Sequence, residues 1–212
     1  DKAIEYCKKA LDINRQIGNK RNEGQNLGNI GIVYKNLGQY DKAIEYYKKA
    51  LQINRQIGNK RSEGQNLGNL GNIYQLLGQY ENAISYFKEA LEINRQIENK
   101  RGEGRNLGNL GNVHKSLGQT ETAIEHYKEA IEIARQIGDK QSEGNNLGNL
   151  GSVYKNLGVY ENAIAHYKQA LGINRQIGNK RSEGQNLGNM GSVYNNLGQY
   201  EEAVSYTHLT LP

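Results

Sequence analysis

The sequence repeats itself every forty residues, five times over, without an insertion or deletion. EGQNLGNIGIVYKNLGQY begins at Glu23, EGQNLGNLGNIYQLLGQY at Glu63, EGRNLGNLGNVHKSLGQT at Glu103, EGNNLGNLGSVYKNLGVY at Glu143 and EGQNLGNMGSVYNNLGQY at Glu183. A fixed period of this length implies a solenoid, in which each unit buries its apolar face only against its neighbours. That constraint overrides the one or two globular domains that 212 residues would otherwise suggest. The chain is polar, 36% hydrophobic with no Trp and 26 Gly, and such a composition borders on disorder. The regular placing of Leu, Ile, Ala and Tyr decides against disorder, because an unpacked chain has no reason to keep an apolar period.

Within one copy, Leu67, Leu70, Ile73, Tyr74 and Leu77 are spaced by three and four, as on one face of a helix. Ala83, Ile84, Phe87, Ala90, Leu91 and Ile97 mark a second, longer helix. Between them, Gly78-Gln79-Tyr80 supplies a glycine able to close a helix in left-handed backbone. The link is short enough to make the two helices antiparallel neighbours. At the junction between copies, Gly58 ends the second helix, and Ser62 with Gln65 predicts a capping box for the next. Asn22 with Gln25, Ser142 with Asn145 and Ser182 with Gln185 place a capping residue in the same way. The chain therefore reads as all-α, helix–turn–helix throughout, with ten complete helices and a stub.

Gly64, Gly68 and Gly71 each cost about 1 kcal/mol relative to Ala in a helix interior. The return expected for that cost is close approach of a neighbouring helix along the bare strip. A nucleotide loop is excluded, because no strand precedes this GxxxGxxG pattern and no Lys-Ser/Thr pair follows it.

The remaining chemistry is sparse. A formal charge of +5 does not by itself suggest nucleic acid. No apolar run approaches the roughly 18 residues that span a membrane, and no membrane partner is expected. Cys7 stands alone and belongs to the core series Cys7, Tyr47, Phe87, Tyr127, Tyr167. His114 replaces a core Tyr, and His126 and His166 replace Tyr6, Tyr46 and Tyr86, so no metal site is expected. Asp41, Glu81, Glu121, Glu161 and Glu201 fall at helix starts, where the helix dipole favours them. Arg15, Arg55, Arg95, Arg135 and Arg175 stand near helix ends, with Lys20-Arg21 and its copies in the loops. Complementing the helix C-terminus is the simpler account of these cations, and a basic ridge for nucleic acid or an acidic partner is the alternative. No acid–base pair, cofactor motif or catalytic residue stands out, so no enzyme is read here.

The succession Leu67, Leu70-Gly71, Tyr74, Gly78, Tyr80, Ala83, Phe87, Ala90 resembles the tetratricopeptide repeat, and it does so over residues 1 to about 206. The forty-residue spacing, LGNLGNxY and the INRQIGNKRSEG junction are most similar to the long-repeat subclass of Pins-type polarity adaptors and bacterial signalling arrays. The Trp frequent in the family is replaced by Leu27, Leu67, Leu107, Leu147 and Leu187, and the usual junction Pro is absent. The resemblance implies a right-handed superhelix whose concave wall, lined by the first helices, holds peptides or partner helices.

Opposite the apolar stripe of each first helix lies a polar one. It carries Gln25, Asn29, Ile32 and Asn36, then Gln65, Asn69, Asn72 and Leu76, with Arg105, Asn109 and Asn112, Asn145 and Asn149, and Gln185 and Asn189 in later copies. A side-chain amide offers donor and acceptor together, so this ladder can pair with the peptide groups of an extended ligand. Helix packing spaces neighbouring copies about 10 Å apart, near three residues of extended chain. Lys35, Arg105, Lys115 and Lys155 share the stripe, and no Asp or Glu occupies it in any copy. The expected partner is therefore a protein or peptide segment, extended and acidic; nucleic acid is not expected, and nothing bears on oligomeric state. A regulatory arm of a larger signalling protein, contacting its own effector domain, is the alternative. A cytoplasmic location is expected.

Residues 98–137 are expected to be the soft point of the array, with Glu98 for Gly, Gly102 in place of a capping residue, His114 for Tyr and Thr120 for Tyr. The chain opens at Asp1 in mid-repeat, so its native start is expected upstream. Residues 207–212, Thr207 to Pro212, break the repeat inside a helix that every other copy completes, and are expected not to be native protein.

Overall fold

The computed structural model describes residues 2–198. Among them are ten helices and no strand: α1 (Lys2–Gln16), α2 (Lys20–Asn36), α3 (Tyr40–Gln56), α4 (Lys60–Leu76), α5 (Tyr80–Gln96), α6 (Lys100–Ser116), α7 (Thr120–Gln136), α8 (Lys140–Asn156), α9 (Tyr160–Gln176) and α10 (Lys180–Asn196). The fold is an all-α solenoid of helix pairs. The chain divides into two compact units, Asp1–Asn106 and Leu107–Pro212, the boundary falling in α6. In the first, each of α1 to α5 packs on the next and α2 also touches α4; in the second, α7 to α10 do the same and α8 touches α10. The expectations for Glu201 and for residues 207–212 lie outside the described residues.

The helices end where glycine lets them. Gly78, at φ +71°, turns the chain so that Gln79 N–H reaches back to Tyr74 O at 2.9 Å and closes α4. α5 begins at the next residue, Tyr80. Between copies, Gly58 does the same at φ +67°. The capping residues differ from those expected. Asn59, three residues before Ser62, is the N-cap of α4, and its side chain accepts from Ser62 N–H at 3.2 Å. Asn19, Asp139 and Asn179 repeat this for Asn22, Ser142 and Ser182. The physical reason is the left-handed glycine, which delivers the chain straight into Asn or Asp and starts the helix a turn sooner than Ser would. Gly102 therefore loses no cap, because its N–H still donates to Asn99 Oδ1 at 3.2 Å. What does mark this copy is Glu98, a non-glycine residue held at positive φ, +54°.

In the first unit, Leu27, Ile30, Leu67, Leu70 and Ile73 of the first helices close on Ala43, Tyr47, Ala50 and Ala90 of the second. Cys7 packs at the edge of this cluster, as its series requires. In the second unit, Leu147, Leu150 and Val153 meet Ala123 and Tyr127, and Leu187, Met190 and Val193 meet Ala163 and Tyr167. The close approach expected of the glycines is present, and for the α4 glycines it is divided between two neighbouring helices, α5 and α6. A Cβ on Gly71 would stand 2.6 Å from the Phe87 ring, and one on Gly111 2.7 Å from the Tyr127 ring. Gly64 faces Ile93 and Asn94, and Gly68 faces Asn106 of the next first helix.

Three histidines lie among the described residues, His114, His126 and His166. His114 and His126 form a tilted pair at 5.2 Å where Tyr74 and Tyr86 stack elsewhere, and Tyr154 stacks on His166 at 5.3 Å. Burial, with Lys128 and Arg135 nearby, holds His166 below the usual histidine range. No group of three or more metal-binding side chains is found among the described residues.

Candidate functional site

The polar stripe faces outward from the first helices. Gln25, Asn29, Gln65, Arg105, Asn145 and Gln185 are exposed; Asn69, Asn72, Asn109, Asn112, Asn149 and Asn189 are half-buried. The stripe is not uniform along the helices. In the first unit, Gln25, Asn29, Gln65 and Asn69 come together around one crevice of about 100 Å³ between α2 and α4. Gly24 and Gly28 leave it open, and Asn54 of α3 and Asn66 of α4 line its depth. In the second unit, Asn112 and Asn149 meet directly: Asn149 Nδ2 donates to Asn112 Oδ1 at 3.2 Å. That oxygen also accepts from the Tyr127 hydroxyl at 2.7 Å. Asn145 Oδ1 accepts from Gln141 Nε2 at 3.1 Å.

Lys35, Lys115 and Lys155 are half-buried on α2, α6 and α8 and do not line the crevice. Burial alone lowers the Lys115 and Arg105 pKa values from their ordinary range, with no carboxylate opposing it. For Arg105 this crowding is felt although the residue remains exposed. Cations that are partly dehydrated and unneutralised attract an incoming anion more strongly than fully hydrated ones.

The junction cations behave differently. Each junction holds a carboxylate that the sequence reading passed over: Glu23, Glu63, Glu103, Glu143 and Glu183. Arg15, Arg55, Arg95, Arg135 and Arg175 each donate Nε to Oε1 of that Glu at 2.7–3.0 Å. Lys20, Lys60, Lys100, Lys140 and Lys180 donate Nζ to Oε2 at 2.8–2.9 Å. The Arg–Glu–Lys clamp ties the end of one helix pair to the start of the next. Each of these cations serves the junction, and Arg21, Arg61 and Arg181 of the basic ridge stand outside the clamps. For Glu103 and Glu143, burial raises the pKa, but the Lys and Arg hydrogen bonds outweigh it and hold each below the ordinary carboxylate value. At Glu23 the Lys20 hydrogen bond is the larger effect and the direction is the same. Four of the five carboxylates are buried, which is what the sequence could have signalled: Glu recurs at one fixed place beside Gly in every copy.

Asn54 was also missed. It belongs to the series Asn14, Asn54, Asn94, Ala134, Asn174 between two isoleucines or their equivalents, and an Asn recurring in an apolar face is the signal.

Helix pairs of one repeating length, with a polar stripe along the first helices, define a helical-repeat solenoid. The chain belongs to the tetratricopeptide repeat family, whose model matches residues 1–56, 62–136 and 142–206. No curated protein sequence matches it. Among solved structures, it is similar to BtubC (BKLC) from P. vanneervenii, at 18% identity and a TM-score of 0.88, over 99% of this chain and 88% of that one. It is also similar to aspartyl phosphate phosphatase F from Bacillus subtilis, at 21% identity and TM-score 0.82, over 94% of this chain and 53% of that one. A signal transduction ATPase with a tetratricopeptide repeat sensor, from Pyrococcus horikoshii, gives 23% identity and TM-score 0.77 over 86% of this chain and 29% of that one. At these identities the likeness is one of fold. The chain spans about half of the phosphatase and under a third of the ATPase.

Proposed function

We propose that this array is a protein-interaction module that holds an extended, acidic peptide segment along the polar stripes of its first helices. The tetratricopeptide repeat is an interaction module and not a catalytic one. The observation that carries the finer reading is the electrostatic division of the surface. Each junction Arg–Lys pair shares a Glu, whereas Arg105 and Lys115 on the stripe are partly dehydrated with no carboxylate beside them. Lys35 and Lys155 stand at the positions matching Lys115, and no carboxylate occupies the stripe. Half-buried asparagines supply amides for the ligand backbone at intervals that suit extended chain.

Selection from an unbiased displayed-peptide library tests the reading. Peptides rich in Asp and Glu should be enriched, and Lys35→Glu, Lys115→Glu and Lys155→Glu together should weaken them by tenfold or more. Enrichment of basic peptides, or indifference to the triple change, contradicts it.

A second reading makes the array the regulatory arm of a larger signalling protein. The observation favouring it is the likeness to an ATPase in which such repeats form a sensor, of which this chain spans 29%. A pull-down separates the two: a regulatory arm captures a segment of its own full-length protein, a scaffold captures other proteins.

A further inference from the structure

Asn54 is 1% exposed, and neither its Nδ2 nor its Oδ1 has a hydrogen-bond partner. A buried amide left so is costly, by about 1–3 kcal/mol for each unpaired group. Asn174, 0% exposed, is left the same way beside Gly144, and two other copies of the residue are not. At Asn14 and Asn94, Nδ2 donates to the carbonyl four residues back, Ala10 O and Ala90 O, both at 2.7 Å. Asn94 is closed further by Asn99 Nδ2, which donates to its Oδ1 at 2.7 Å. In α7 the position is Ala134, so the fold does not need an amide there. Asn54 therefore has a local partner within reach of its own helix and does not take it. Its oxygen is turned toward Gly24, 3.0 Å from where a Cβ would be, and Gly24 and Asn54 line the same crevice.

We propose that this crevice is a carboxamide subsite, taking the side chain of an Asn or Gln in the bound segment. The assignment rests on the reading that a peptide lies along the stripe. The volume, about 100 Å³, equals the liquid share of roughly three waters, enough for one side-chain amide and too little for a drug-sized ligand. The lining holds no cation, so an ionised carboxylate entering it would lose hydration without compensation and would oppose Asn54 Oδ1. A carboxamide presents one donor edge and one acceptor edge, which match the two unpartnered atoms of Asn54. Gln25 and Gln65 at the rim are exposed and can follow the ligand backbone out of the crevice. An acidic segment with a single Asn or Gln would thus be placed in register: its charges meet the stripe cations, and its amide meets Asn54.

The test uses the full chain and two small probes, acetamide and acetate, followed by amide NMR. Acetamide should shift the Gly24 and Gly28 signals saturably at tens of millimolar, as befits so small a ligand. Acetate at equal concentration should leave them unmoved. Asn54→Ala, which copies Ala134, should weaken the acetamide response at least tenfold while signals around Tyr167 stay in place. Asn54→Asp, of the same shape, should do likewise if the alanine variant is poorly behaved. An equal response to acetate, a response that survives both changes, or no response to acetamide overturns the proposal. For a library-selected peptide, replacing its Asn or Gln by Leu should cost about tenfold on the native chain and nothing on the Asn54→Ala chain. If the peptide binds without that dependence, the subsite is wrong and the stripe stands. If acetamide binds as expected and no peptide is ever captured, the stripe reading is wrong and the subsite serves free amides.

Discussion

Tyr47 in the first unit and Tyr127 in the second occupy the same place in the repeat, each against a glycine of the preceding helix. The Tyr127 hydroxyl donates to Asn112 at 2.7 Å, and Tyr167 likewise donates to Ser152 at 3.0 Å. The Tyr47 hydroxyl has no partner, because the matching residue on α2 is Ile32. In the copy between, Phe87 carries no hydroxyl at all. Burial pushes the Tyr47 hydroxyl up to about 12 and raises Tyr167 too, where Ser152 opposes the rise. The stripe position is thus coupled to the core: its residue can be spent inward on a tyrosine, as Asn112 and Ser152 are, or not, as Ile32 is. The first unit accordingly has an open crevice and an exposed Leu76, and the second a stripe knitted by its own hydrogen bonds.

The largest expected effect tests what the units share. Gly71→Ala should destabilise by about 2 kcal/mol, since overpacking against Phe87 exceeds the gain of roughly 1 kcal/mol in helix propensity. Gly111→Ala should match it against Tyr127, and a neutral result in denaturant titration for either would show that the rings yield. The next effect should differ in sign between units. Tyr127→Phe should cost about 1 kcal/mol, whereas Tyr47→Phe should be neutral or stabilise by about 1 kcal/mol, because it removes an orphaned hydroxyl. Equal losses in both would break the comparison.

A single-residue change should strengthen the first unit further. Glu98→Gly relieves a non-glycine residue at φ +54° and should add about 1 kcal/mol. Hydrogen exchange should also report less protection in residues 98–137 than in 61–97 or 141–177. The Glu98→Gly change should narrow that gap, because the cap expected to be lost at Gly102 is intact.

The smallest effect is a pH dependence common to both units. Glu103 and Glu143 have folded pKa values below the ordinary 4.5, so the clamps contribute fully above that value. Their contribution is lost as pH falls through the lowered folded values. Glu103→Gln and Glu143→Gln should each flatten the acid limb of the stability profile below about pH 4.5, leaving the neutral limb parallel to that of the native chain.

The helices, their links and the bare glycine strips were legible because each is set by residues near in sequence. Period, left-handed glycine and apolar spacing act within one copy. The N-caps were misplaced by a turn because Ser62 and Asn59 are both good caps, and only the turn geometry at Gly58 chooses between them. The clamps, the Tyr127–Asn112 bond and the Asn54 crevice were not legible for a different reason. Each joins groups on different helices, eight or more residues apart, and a polar residue's inward or outward turn depends on what its neighbour offers. Ile32 and Asn112 look alike as stripe positions until the ring behind them is seen.

The most direct test of the stripe as the binding face is side-chain amide NMR of the full chain with a library-selected acidic peptide. The account expects the NH2 signals of Asn29, Asn69, Asn149 and Asn189 to shift with the titration, while the Arg95–Glu103–Lys100 and Arg135–Glu143–Lys140 clamps stay unchanged. Shifts confined to the clamps or to the second helices, with the asparagine ladder unmoved, would contradict it.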